Sequence, residues 1–306
     1  MHPSPHPRLI CLGLSALDIT WQVDALPSGS GKTRAHALRE GGGGMAANAA
    51  VAAARLGAEV SFWGRAGDDS AGREMRAQLA AQGVNIAQFR LFEGARSSVS
   101  GIVVDAAGER MIVNFRGALL PPHAGWLPLE QLSQADAVLA DPRWPEGALA
   151  LFGAARARGL PTVLDGDVAE APVFDTLLPL TDYAVFSEPG LAGYAGASST
   201  LEERLRFALA RGCQLAAVTL GERGLAWADA SGIHHLPAFD VDVVDTTGAG
   251  DVFHGALAFA LGARWPVRRA FQFSAAVAAI KCTRPGGREG VPTFATAMSL
   301  IESLKE

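Results

Sequence analysis

The chain has 306 residues, 49% of them apolar and 19% charged, with a net charge of -5. This is the composition of a globule with a sizeable core, and it excludes a general electrostatic reason to bind nucleic acid or an anionic membrane. Any bound anion must instead meet locally placed Lys, Arg or backbone N–H groups. The three cysteines, Cys11, Cys213 and Cys282, are odd in number, scattered and without metal spacing. They read as reduced core thiols of a cytoplasmic protein.

Residues 1–7 form a Pro/His tail, and Leu9 to Leu14 reads as a first buried strand. This apolar run follows Arg8, as in a signal peptide, but it is short and Asp18 comes at once. The other apolar stretches are too short or too interrupted to span a membrane. Asp18 is expected just past the strand's C-terminal end, where open α/β sheets bind ligands. Pro27 to Thr33 approximates a P-loop, but Leu26 stands where the first glycine belongs and no apolar helix follows. A polar loop with a short strand, with Lys32 facing a ligand, fits better.

Gly41 to Gly44 run into an Ala-rich helix that Gly57 stops. Glycines allow a ligand to touch backbone. A dinucleotide fingerprint, and with it an oxidoreductase, fits poorly with the segment from Glu59 to Asp69 that follows. Ala71 to Gln82 reads as a helix. Ser97 to Asp105 and Arg110 to Phe115 read as a hairpin around Ala106–Glu109. From Pro121 strands and helices alternate: strand 137–140, helix 145–158, strands 162–165 and 183–186, helix 200–210 and strand 215–219. This pattern means a parallel sheet covered on both faces. Arg143, Asp165, Asp167, Ser187, Glu188 and Thr219 all fall just after strand ends.

The densest signal is Asp245-Thr-Thr-Gly-Ala-Gly-Asp251. It is expected to follow a strand over 239–244 and to open a helix over 252–261. Small residues at Gly248, Ala249 and Gly250 let N–H groups approach a phosphate, and the helix dipole favours the anion. Asp251 then stands where a carboxylate could take the proton of an attacking hydroxyl. By itself the motif fits a capped turn equally well.

The longer string Asp245 to Ala256 resembles the C-terminal signature of the ribokinase-like (PfkB) carbohydrate kinases. Gly43-Gly44-x-x-x-Asn48, Arg55-Leu56-Gly57 and Gly67-Asp68-Asp69 resemble the N-terminal one. The resemblance implies a three-layer α/β/α fold with a mostly parallel sheet, as one domain over 1–306. Lid segments near 15–42 and 96–118 would carry a small β-sheet that pairs in a homodimer. It implies ATP and Mg2+ as cofactors, Asp251 as base, and an anion hole at Gly248–Gly250. Asp18, Gly43, Gly44 and Asn48 would hold sugar hydroxyls. Ser187, Thr219, Gly221, Gly250, Lys281 and Gly286 would hold ATP, and Asp245 and Thr247 would ligate a monovalent cation such as K+. Many relatives carry Asn-x-x-Glu where this chain has Ser187 and Gly190, which leaves Asp165 or Glu188 to support magnesium through water. Further stretches resemble the sulfofructose kinases of the family, whose sulfonate pocket of Lys, Asn and Arg falls on Lys32, Asn114 and Arg143. The expected reaction is transfer of the γ-phosphate to the 1-hydroxyl of 6-deoxy-6-sulfofructose. Fructose, ribose and fructose 6-phosphate are alternative acceptors, and a non-catalytic sugar or nucleotide sensor is the alternative from another class.

Overall fold

The computed structural model describes residues 6–303, so most of the expected Pro/His tail lies outside the described residues. β1 (Arg8–Gly13) is an interior strand of a nine-stranded sheet, with β4 (Glu59–Gly67) and β5 (Phe89–Phe92) to one side. β8 (Ala137–Ala140), β9 (Thr162–Gly166), β10 (Tyr183–Ser187) and β11 (Leu215–Thr219) follow on the other side, then β12 (Leu225–Asp229) and β13 (Gly232–Leu236). Pairings from β5 to β11 are parallel and the last two are antiparallel. The chain leaves β1 first towards β4 and later towards β8, so the order reverses at β1, where such sheets open a crevice.

Successive side chains of a strand face opposite ways. In β1, Leu9 and Cys11 join one core and Ile10 and Leu12 the other. The first core is roofed by α1 (Met45–Arg55), α2 (Ser70–Ala81), α7 (Ala249–Gly262), α8 (Val267–Cys282) and α9 (Phe294–Ser303). The second lies under α3 (Pro145–Arg156), α4 (Ala171–Leu177), α5 (Glu188–Ala195) and α6 (Leu201–Leu209). α6 starts where the sequence places it, on a capping box in which Thr200 and Glu203 satisfy each other's backbone N–H.

A separate four-stranded sheet is built from β2 (Ala16–Gln22), β3 (Ala37–Gly43), β6 (Val99–Val104) and β7 (Arg110–Phe115), in the order β3-β2-β6-β7. Its register puts Gly41, Asp18, Ser100 and Asn114 in one row across the strands. Trp21, Leu38, Met111, Val113 and Phe115 share the opposite face and are exposed.

Three expectations are corrected. Asp18 lies within β2 of the small sheet, because the chain re-enters extended pairing only two residues after β1. Residues 239–244 are not a strand; the two acids among them break the apolar run, and Val244 and Asp245 instead donate to the Cys282 carbonyl at the end of α8. The helix after the Gly-Ala-Gly turn begins at Ala249, so Asp251 lies in its first turn. The P-loop-like stretch 27–33 is an irregular, largely exposed connection between β2 and β3. The glycine run closes an antiparallel strand of the small sheet, which is not the strand–turn–helix unit of a dinucleotide fold.

Candidate active site

α7 and α1 meet closely because Gly255 has no side chain: a Cβ there would stand 2.3 Å from the Ala49 carbonyl oxygen. The crossing brings Asn48 of α1 against Asp251 of α7, and the Asn48 amide donates to Asp251 Oδ2 at 2.7 Å. Gly248 caps α7 in the left-handed conformation, φ 71°, which glycine adopts without strain. The Ala249 N–H donates to the Thr246 carbonyl and so closes the turn. The next N–H groups, of Gly250 and Asp251, have no acceptor within an α-helix and face outward at its positive end.

Burial, and after it the Asp165 charge, raise the Asp251 pKa to about 7 against the opposing Asn48 hydrogen bond. Asp165 is itself pushed well above the usual carboxylate range by burial and by the nearby Asp141 and Asp167. A carboxyl group raised towards neutrality at a helix head has the chemistry of a group that can exchange a proton with a bound hydroxyl.

Three residues outside the sequence-level set complete this centre. Arg288 is buried; its Nε donates to Asn48 Oδ1 at 2.8 Å and its Nη2 to the Gly43 carbonyl at 3.0 Å. It fixes the orientation of the Asn48 amide, oxygen to the guanidinium and nitrogen to Asp251. Burial draws the Arg288 pKa down to about 10, against the pull of Asp18. The same guanidinium explains one glycine of the run, because a Cβ on Gly42 would lie 1.9 Å from Nη1. Asp141, fully buried, accepts from the backbone N–H groups of Leu14, Ala46 and Arg143 and so ties β1, the start of α1 and its own loop together. His254 places its ring nitrogens 2.7 Å from the Gly250 carbonyl and 2.9 Å from the Val185 carbonyl, with Asp165 at 3.4 Å. It anchors the first turn of α7 to β10; burial lowers its pKa, against the pull of the two carbonyls. Asp141 had a signal in the sequence, an acid directly after a strand. Arg288 had none, since a lone arginine in a loop does not announce that it will be buried.

The small sheet adds Asp18. Burial raises its pKa, while the Ser100 hydroxyl and the Arg288 charge lower it. A Cβ on Gly43 would lie 2.2 Å from the Asp18 carboxylate, and one on Gly44 2.5 Å from the Leu14 carbonyl, so Asp18 packs on Gly43, which Arg288 links to Asn48. Asn114 lies in the same cross-strand row, its amide donating to Ser100 at 3.1 Å. The other two members of the expected sulfonate pocket stand apart in their contacts. Lys32 is exposed. Arg143 donates to the Val168 carbonyl at 2.9 Å and to Asp167 at 3.1 Å. Among the described residues no hydrogen bond or ion pair joins Lys32, Asn114 and Arg143.

Beside the head of α7 lies a largely apolar cleft of about 590 Å3. Thr219 and Gly221 line one end, Ala249 and Gly250 another, and Phe253, Ala278, Ala279 and Cys282 its wall. Three other residues expected at the nucleotide are engaged elsewhere. Ser187 caps α5, accepting from the Gly190 N–H and donating to Asp167. A Cβ at Gly190 would stand 2.3 Å from the Gly166 carbonyl, so the glycine that replaces the family's glutamate is required by packing. Glu188 accepts from Arg223 through both oxygens. Gly286 donates its N–H to Asp245 Oδ2 at 2.9 Å, and buried Lys281 donates to the Asp245 carbonyl at 2.7 Å.

A glycine-capped helix head that carries a buried carboxyl group beside a largely apolar cleft is an arrangement suited to a kinase of small hydroxylated molecules. Residues 6–294 match the model of the pfkB family carbohydrate kinases. The chain is similar to Bacillus subtilis ribokinase, 30% identical over 94% of this chain and 97% of that one. It is 34% identical to Klebsiella pneumoniae fructokinase over 79% of this chain and 82% of that one. A crystal structure from Agrobacterium tumefaciens that carries the provisional name ribokinase superposes with a TM-score of 0.92 at 37% identity, covering 98% of this chain and 99% of that one. The chain belongs to the pfkB family of carbohydrate kinases, phosphotransferases with an alcohol group as acceptor.

Proposed function

We propose that the protein transfers the γ-phosphate of ATP to a primary hydroxyl of a ketose, with Asp251 as the base. The observation that carries this reading is the buried Asp251 carboxylate in the first turn of α7, held by Asn48 and raised to about 7. The sugar lies against Asp18, Gly43, Gly44 and Asn48, and the adenine end of ATP in the apolar cleft. Asp251 takes the hydroxyl proton as that oxygen bonds to the γ-phosphorus. The bond from the γ-phosphorus to the bridging oxygen breaks, and ADP leaves. N–H groups at the head of α7 offset the charge on the group in flight. Magnesium enters with the nucleotide and neutralises its phosphates. Ser187 and Glu188 bond Gly190 and Arg223, contacts with which the ion would compete.

The acceptor proposed is 6-deoxy-6-sulfofructose. A sulfonate is a permanent anion with three oxygens, and Lys32, Asn114 and Arg143 offer it a point charge, an amide and a planar fork. Asn114 supports the assignment, because it shares the cross-strand row of Asp18. A neutral ketose is the second reading, favoured by the existing partners of Arg143 in Asp167 and Val168. The small sheet acts as a lid over the sugar, and its exposed apolar face pairs two copies into a homodimer; sedimentation gives the mass that checks this. The deciding experiment is a coupled ADP-release assay with 6-deoxy-6-sulfofructose, fructose 6-phosphate, fructose and ribose. Preference for the sulfosugar supports the sulfonate pocket. Preference for fructose or ribose keeps Asp251 and removes the pocket, and preference for fructose 6-phosphate assigns it to a phosphate.

A further inference from the structure

Asp245 and Thr247, where the family resemblance puts a monovalent cation, face positive charges that belong to the chain itself. Lys281, in the last turn of α8, has no exposed side-chain surface. Its ammonium donates to the Asp245 carbonyl at 2.7 Å and lies 4.0 Å from the Asp245 carboxylate. The carboxylate also accepts from Thr247 N at 2.8 Å, Thr247 Oγ1 at 2.7 Å and Gly286 N at 2.9 Å. Arg110 arrives from the small sheet, donating to the Thr247 hydroxyl, with Nη2 3.6 Å from Asp245.

These residues do not fit an added potassium ion. The oxygens it would need already accept from donors, and two like charges stand beside the position. The arrangement is nevertheless a cation site, filled by a side chain. Lysine presents a compact monovalent charge, as potassium does. Burying an ammonium is costly unless it is paired and hydrogen-bonded, and here a carbonyl and a carboxylate of one residue supply both. The turn it grips runs from Asp245 through Thr246 to Gly248, the cap of α7, and so reaches the anion site directly. Of the two cations, Lys281 is rooted in the same core as that turn, whereas Arg110 comes from the small sheet and keeps a third of its side chain exposed.

We propose that the Lys281 ammonium takes the place of the family's monovalent cation, so that this kinase works without potassium. Lys281 is then a positioning residue, setting the turn that leads to the anion hole. The inference rests on the kinase reading but not on the identity of the sugar, so its test reads MgADP binding as well as turnover.

The experiment compares the intact enzyme in potassium chloride and in tetramethylammonium chloride at equal ionic strength. The affinity for MgADP, by titration calorimetry, is expected to agree within about twofold between the two salts. Tightening of about tenfold or more by potassium in the wild type overturns the proposal. Lys281→Ala is expected to bind MgADP and turn over poorly in tetramethylammonium and to recover with potassium or ammonium. Recovery by a diffusible monovalent cation is not a property of a lysine that only supports the fold. A variant indifferent to the salt, whether active or inactive, overturns the proposal. Should Lys281→Ala fail to fold, the wild-type comparison decides.

Discussion

At the head of α7, Asp251 is hydrogen-bonded to Asn48, and His254 anchors the same turn to β10. On the small sheet, β7 is exposed along its whole length, and the Asn114 amide donates to the Ser100 hydroxyl. The first region is placed by the core. Its positions follow from the packing of α1 on α7 and from a buried arginine, so it cannot shift without disturbing both. The second lies on the outer strand of a sheet that touches the main core through Leu17, Ile19 and Val99, and its charged companions, Lys32 and Arg143, come from separate loops. On the proposed function, the transfer chemistry would sit in the interior, whereas the residues assigned to the acceptor come from the small sheet and from loops.

The sharpest way to break this comparison is Asp251→Asn. The substitution keeps the volume and the Asn48 contact but removes the base, and turnover is expected to fall by about 10²–10⁴-fold with the fold intact. Near-normal turnover, measured by ADP release, would move the base elsewhere. Next in size is Arg288→Met. It leaves Asn48 Oδ1 and the Gly43 carbonyl without their donor and Asp18 without its counter-charge. Loss of one partner from such a buried set costs about 3–5 kcal/mol, read as a lower denaturation midpoint, with a raised KM for the sugar. An unchanged midpoint would mean that Arg288 is not part of the frame.

Smaller again is the effect of Arg143→Ala. If the guanidinium binds a sulfonate, activity on sulfofructose falls by about 10–100-fold, the size of a lost charge-assisted hydrogen bond. Activity on fructose changes little. Equal losses on both sugars would make Arg143 a support for Asp167 and the loop after β9.

The sequence was informative where a local pattern and a tertiary requirement coincide. The strands over 110–115, 137–140 and 215–219 lie where alternation and turn chemistry put them, and the Gly-Ala-Gly turn does lead into a helix. Asp251 belongs to one motif and Asn48 and the paired glycines to another, and the crossing of α1 and α7 brings Asn48 to Asp251. What was not legible was paid for by partners far along the chain. Arg288 carries no local signal, because the group that accepts from it, Asn48, lies 240 positions away. Lys281 is read as a nucleotide contact until α8 turns it inward to Asp245. Residues 239–244 carry strand-forming side chains but find no neighbouring strand to pair with, and their backbone turns to the end of α8 instead.

The interior character of the centre is tested most directly by its response to pH. Asp251 has its pKa raised from 3.8 to about 7 by burial and by Asp165. A raised carboxyl pKa means that the folded state holds a proton which the unfolded state has released. Stability therefore falls as pH rises through the interval between those two values, and the loss is complete above the folded value. Asparagine at 251 carries no charge at any pH and escapes this loss. The melting temperature of Asp251→Asn relative to the wild type is thus expected to increase from pH 5 to pH 8, with most of the gain below about pH 7. Catalysis runs the opposite way, because the base must be unprotonated: kcat/KM of the wild type is expected to fall about tenfold per unit below pH 7. A difference in melting temperature that stays flat across this range would mean that water reaches Asp251 freely. The head of α7 would then be as open as the small sheet, and the contrast between the two regions would be lost.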